Sequence, residues 1–149
     1  MDNAVIFGAG ATGRGLMGQL FTASGYAVTF VDSDEPLVAA LNERGVYTLS
    51  LVDNVGRRDV EVGPVRALLT QDTASVVDAL AVATIGATGV GGRGLPGVAG
   101  LLAEGIRCRM ADGVEVPLNL LVCENMPDVA GALYNLVAER LGAEEREYA

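Results

Sequence analysis

Apolar residues along the chain cluster in short runs, with glycines and helically spaced stretches between them. Ala4 to Phe7 form the first run, too short for a helix, and predict a buried strand. After a glycine turn, Leu16, Met17, Leu20 and Phe21 share one face of a helix that Gly25 ends. Ala27 to Val31 predict a second strand closing on Asp32. Pro36 then stands at a first helical turn, Leu37, Val38 and Leu41 supply an apolar stripe, and Gly45 the stop. Tyr47, Leu49 and Leu51 alternate with small or polar residues, a turn follows at "DNVGRRD", and Val60 and Val62 resume the alternation. This predicts an inserted hairpin.

Val65 to Leu69 predict another strand, Thr73 to Val77 a short helix, and Leu80 to Ile85 a fourth buried strand. "GATGVGGRGLPG", Gly86 to Gly97, reads as the most flexible stretch. Leu95, Val98, Leu101 and Leu102 predict a helix ending near Gly105. The polar "RCRMADGVEVP" leads to a fifth strand, Leu118 to Cys123, and Val129, Leu133, Leu136 and Val137 mark a last helix before Gly142. Residues 143–149, "AEEREYA", read as a charged tail without a core pattern. Helices alternate with strands apolar on both faces, which predicts one α/β domain over residues 1–149: a doubly wound, mostly parallel Rossmann sheet with an inserted hairpin.

Composition narrows the function. The chain has 20 glycines and a formal net charge of −9, from 10 basic and 19 acidic residues. An acidic surface with no basic run offers no footprint for nucleic acid and is repelled by anionic membranes. Cys108 and Cys123 form neither a metal-ligand spacing nor a disulfide framework, and strand-like sequence directly after Met1 leaves no room for a signal peptide; the expected location is cytoplasmic. The sequence contains no histidine, and every basic residue is an arginine. The two commonest general bases near neutral pH are thus missing, and arginine does not deprotonate.

The chemistry concentrates in "GAGATGRG", Gly8 to Gly15. Gly8, Gly10 and Gly13 follow the first strand and open the first helix, the context in which a G-x-G-x-x-G turn binds a dinucleotide. Gly8 permits the tight turn, Gly10 lets backbone approach a pyrophosphate, and Gly13 packs helix against sheet. Asp32, ending the second strand, completes the fingerprint. Its carboxylate can accept both adenosine ribose hydroxyls and would repel a 2′-phosphate, so NAD is expected rather than NADP.

Three further features stay open on the residues alone. "ATIGATG", Ala83 to Gly89, is expected at the carboxyl end of the fourth strand, as a cofactor contact or a flexible loop. Asn125 in "CENM" is either an amide donor to a substrate oxygen or a turn residue. Arg14 either contacts a phosphate or is solvated.

"FGAGATGRG", "VTFVDSD" and "PLNLLVCENM", in this order, resemble the N-terminal half of the mannitol-1-phosphate 5-dehydrogenases. More broadly they are similar to the mannitol dehydrogenase family of polyol-specific long-chain dehydrogenases. The resemblance runs from about Ala4 to Leu141. It implies an enzyme that passes hydride between NAD and a sugar alcohol or ketose phosphate. It also implies that Gly8, Gly10, Ala11, Thr12, Gly13 and Asp32 bind NAD, that Thr84, Ile85 and Gly86 line the cofactor, and that Asn125 stabilises the alkoxide. Family members carry a further, helical domain with a catalytic lysine and its asparagine and histidine partners, and nothing in this chain matches it. The expectation is a cofactor-binding domain, inactive alone, that engages a polyol only with that second domain and can dimerise through the bared interdomain surface. A free-standing nucleotide-sensing module is the alternative, and a methyltransferase a weaker one.

Overall fold

A computed structural model describes all residues from Met1 to Ala149. Five strands form one sheet in the order β5-β2-β1-β6-β7, and every neighbouring pair is parallel. They are β1 (Asn3–Phe7), β2 (Ala27–Asp32), β5 (Val65–Leu69), β6 (Ala83–Thr88) and β7 (Asn119–Val122). The helices are α1 (Gln19–Ala23), which continues a π-helical segment Gly13–Gly18, then α2 (Glu35–Arg44), α3 (Thr73–Val82), α4 (Leu95–Ala111), α5 (Val129–Ala138) and α6 (Ala143–Tyr148). Strands β3 (Tyr47–Val52) and β4 (Arg57–Val62) pair only with each other, as the antiparallel hairpin that the alternation predicts. No helix is long and apolar enough to cross a membrane.

Alternation along the central strand builds two cores. Ala4 and Ile6 of β1 join Val28, Phe30, Met17, Phe21, Leu41 and Tyr47 on one face. Val5 and Phe7 meet Val31, Leu80, Val98 and Leu102 on the other. Both faces are covered because a parallel sheet needs crossover helices, so these strands show no polar face. From β1 the chain winds outward through β2 to β5, then returns to the other side of β1 for β6 and β7. The order therefore reverses between β1 and β6, and the carboxyl ends of those two strands flank the crevice where open α/β sheets bind ligands.

Three expectations are corrected. Helix α3 runs to Val82, so Leu80 belongs to it and β6 starts only at Ala83. The continuous apolar run fits either element, and Val76, Ala79 and Leu80 follow the helical spacing that buries them. Helix α4 passes through Gly105 to Ala111 and takes in "RCRMA". Gly105 marks a close crossing rather than a stop, since a Cβ there would lie 2.8 Å from Leu80 Cδ1. Residues 143–148 form α6, fastened by an Arg107–Glu145 ion pair of 3.0 Å and by the Tyr148 hydroxyl donating to the Val114 carbonyl. In the first helix Met17 and Phe21 are buried, whereas Leu16 and Leu20 are about half exposed.

One buried cation holds α3, α4 and the approach to β7 together. Arg109 is 4% exposed and has no carboxylate partner. Its Nη1 donates to the carbonyls of Leu80, Ala81 and Ala83 at 2.9–3.0 Å, and its Nη2 to that of Val116. The first three lie at the C-terminal end of α3, where carbonyls lack intrahelical donors and the helix dipole favours a cation. Arg109→Met should therefore destabilise the fold by about 3 kcal/mol in urea unfolding, because it strands several buried acceptors at once. Loss below about 0.5 kcal/mol would contradict this role.

Candidate functional site

The site begins where β1 ends. The Gly8 amide donates to the Val31 carbonyl at 2.8 Å, which carries the chain over the end of β2. Gly8 has φ +96°, a conformation that favours glycine, and a side chain there would also strike the Gly89 carbonyl. At Gly13 a side chain would run into the Gly8 carbonyl oxygen. Gly10 is different: a Cβ there would meet nothing within 4 Å. Two glycines are thus needed by the protein's own packing, and the middle one faces open space. Ala11 and Thr12 are exposed beside it, at the start of the helix, where amides lack intrahelical acceptors.

Asp32 is joined to this turn directly. Its Oδ2 accepts from the Ala9 amide at 2.7 Å, and its Oδ1 from the Asp34 amide at 3.0 Å. A carboxylate has about four lone-pair positions, so capacity remains for further donors. The Arg14 Nε donates to the Ala9 carbonyl at 2.6 Å. Arg14 is therefore neither simply solvated nor reaching outward with its whole fork; it folds back to brace the turn. Its own carbonyl accepts from the Tyr47 hydroxyl at 2.6 Å, tying the hairpin to the same point. Burial pushes the Tyr47 hydroxyl up to about 12, against the opposing pull of the Arg14 charge.

Thr84, Ile85 and Gly86 do not reach this edge. Ile85 and Gly86 pair with Ala4 and Val5 inside the sheet, and Thr84 is the extra residue where the β1–β6 register shifts. The strand's late start, at Ala83, moves its carboxyl end to Thr88. The residues that meet the turn are instead Thr88, Gly89 and Val90. The Gly89 amide donates to the Phe7 carbonyl at 2.8 Å, and a Cβ on Gly89 would lie 3.3 Å from the Thr12 Cβ. The "flexible" stretch is largely ordered as the end of β6, a 3₁₀ turn at Gly92–Gly94 and the start of α4.

Asn125 is exposed on the strap that follows β7, at the same sheet edge. That strap is anchored at several points. The Cys123 amide donates to Thr88 Oγ1 at 3.3 Å, and the Cys123 sulfur lies 3.8 Å from that of Met17. Burial, and then the neighbouring Glu124 charge, raise the Cys123 thiol above its ordinary value, so it stays protonated at neutral pH. The Glu124 carboxylate accepts from the amides of Val90 and Gly91, each at 2.9 Å. In the sequence neither Glu124 nor Tyr47 takes a role in the site: Tyr47 marks the hairpin, and Glu124 stands within "CENM". Their partners are backbone groups far along the chain, and the one local signal was an acid beside a strand end facing a glycine-rich loop.

The crowding at Gly13 carries a direct test. Gly13→Ala forces a carbon into backbone and should lower stability by about 1–3 kcal/mol in denaturant unfolding. Unchanged stability would show that the turn can relax there.

The chain spans little more than a third of the length of the curated relatives that it resembles. It is 43% identical over 138 residues to the mannitol-1-phosphate 5-dehydrogenase of Brevibacillus brevis, covering 93% of this chain and 35% of that protein. It is 35% identical to the enzyme of the same name from Streptococcus mutans, covering 100% of this chain and 39% of the relative. Among solved structures, octopine dehydrogenase in complex with NADH and agmatine superposes with a TM-score of 0.64 at 12% identity, over 97% of this chain and 33% of that one. Saccharopine dehydrogenase from Saccharomyces cerevisiae gives 0.51 at 11% identity, over 94% and 25%. These two likenesses show the fold alone, a parallel α/β sheet of the Rossmann type. The profile of the mannitol dehydrogenase Rossmann domain matches residues 2–149, and the chain belongs to that family.

Proposed function

We propose that this chain is the NAD-binding part of a cytoplasmic polyol-phosphate dehydrogenase, acting on mannitol-1-phosphate, and that it binds cofactor but does not catalyse alone. The observation that carries the reading is the 2.7 Å hydrogen bond from the Ala9 amide to Asp32, which sets the acid against the glycine turn. A dinucleotide fits the residues available. Gly10 has open space over its Cα, Gly8, Ala11, Thr12 and Gly13 frame the turn beside it, and Asp32 keeps free lone pairs. Pyrophosphate would lie over the turn and the first helical amides, and the adenosine ribose against Asp32. From there the nicotinamide half would extend toward Thr88–Val90 and the strap. Bound NAD would supply the hydride acceptor. Asn125 would donate its side-chain amide to the substrate oxygen as negative charge develops on it.

A proton acceptor for the alcohol is lacking. The chain has no histidine or lysine. Cys123 is held protonated, and the Tyr47 hydroxyl is committed to the Arg14 carbonyl with its ionisation pushed up to about 12. The relatives' remaining length is the natural source of the base and of the polyol contacts. The surface it would cover is the apolar groove along β7, about 600 Å³, lined by Leu118, Leu120, Val122, Leu133, Tyr134 and Val137. Left bare, that groove would favour association of two copies.

Calorimetry tests the cofactor. NAD should bind and NADP should bind more weakly, while Gly10→Ala should leave thermal stability intact and cut NAD affinity by about tenfold or more, equivalent to ~1.4 kcal/mol. No binding at millimolar NAD, or a preference for NADP, would refute the reading. Measurable oxidation of mannitol-1-phosphate by the chain alone would refute its inactivity.

A further inference from the structure

The loop from Gly89 to Gly94 follows β6 and the strap from Cys123 to Asp128 follows its neighbour β7, and one side chain links them. Glu124 gives one carboxylate oxygen to each of two consecutive amides, Val90 and Gly91, at 2.9 Å. No arginine pairs with it. Those amides fall after β6 and before the 3₁₀ turn, outside any ladder or helix, so the carboxylate supplies what regular structure does not. Gly91, at φ +78° and ψ 159°, takes a conformation that favours glycine and turns its amide toward the acid. Two lesser contacts follow the same seam: Cys123 on Thr88, and Met126, whose sulfur would lie 2.5 Å from a Cβ on Gly92.

We infer that Glu124 is a positioning residue of the dehydrogenase site, holding the Gly89–Gly94 loop and Asn125 in one fixed relation to the glycine turn. The inference rests on the cofactor reading above. Gly89 abuts Gly8 and Thr12 on the turn, and Asn125 directly follows Glu124, so a carboxylate bridging loop and strap sets the spacing between cofactor and alkoxide donor. It has a second consequence. With the Val90 and Gly91 amides occupied, that pair of donors is closed to an anion.

Chemistry separates this role from packing. Glutamine has the same shape but only one acceptor oxygen, and its amino group would face a backbone N–H, donor against donor. Aspartate keeps both oxygens and is one methylene short. In Glu124→Gln, the Val90 and Gly91 amides should exchange with solvent about tenfold faster or more, and their proton resonances should move upfield as the charged acceptor is lost. NAD affinity should fall about tenfold at a temperature where thermal unfolding shows the domain intact. Glu124→Asp should lie between native and glutamine on both measures, and provides the test if the glutamine variant does not fold. Unchanged exchange at both amides, or native NAD affinity in a folded glutamine variant, overturns the inference while leaving the cofactor reading standing. Failure of the native chain to bind NAD overturns both.

Discussion

The peptide units on either side of Ala9 are the point on which the site depends. The Ala9 amide is taken by Asp32 and its carbonyl by Arg14, and the residue itself is fully buried. Neither bond forms without the sheet. The β1–β2 register opposes Phe7 to Val31, so the last residue of β2 lies beside the first residues of the turn, and Asp32 reaches Ala9 as a consequence of strand pairing. Tyr47 then adds the hairpin by donating to the Arg14 carbonyl. Three segments, the end of β2, the first helix and the hairpin, converge on one turn through backbone groups. This makes the turn rigid before any ligand arrives, and a preorganised donor set loses less on binding.

Rigidity there comes with a local, not global, attraction for anions. The chain carries a charge of −9, and five of its ten arginines, Arg107 among them, donate to main-chain carbonyls. Arg14 serves Ala9, Arg109 four carbonyls around α3 and β7, Arg140 serves Leu136, and Arg146 serves Leu141. A guanidinium's planar fork suits this work, since its five donors can span several acceptors that an ammonium would meet singly. At the glycine turn, the donors left for an anion are backbone amides at the start of the first helix, which act within a turn's length and tolerate an acidic surface.

Much of this was legible in the sequence where short-range signals agreed. The glycine turn, Asp32 and the hairpin each combine a steric requirement with a hydrophobic period, and the strand pairing follows from them. Boundaries failed where one signal stood alone. The run from Leu80 to Ile85 is apolar but for Thr84, so it could not say where α3 ends, and the strand begins at Ala83 rather than Leu80. Gly105 looked like a helix stop because its actual requirement, room for Leu80, lies on another helix. The bridging role of Glu124 was hidden for the same reason: its partners are amides, which have no letter in the sequence.

The two edges of the sheet are finished differently, and the difference separates the site from the rest of the surface. At the β5 edge the Asn42 side chain of α2 mimics a neighbouring strand, accepting from the Ala67 amide at 2.7 Å and donating to its carbonyl at 2.9 Å. That closes the edge to further pairing with a single side chain, as edge strands in stable domains require. At the β7 edge no such cover exists, and the strand borders an apolar groove between α4, α5 and α6. The sheet can therefore be extended only beyond β7. That is the side on which the strap with Glu124 and Asn125 leaves the sheet, so anything that docks along β7 lies beside that strap, while Asp32, at the end of β2, lies three strands away.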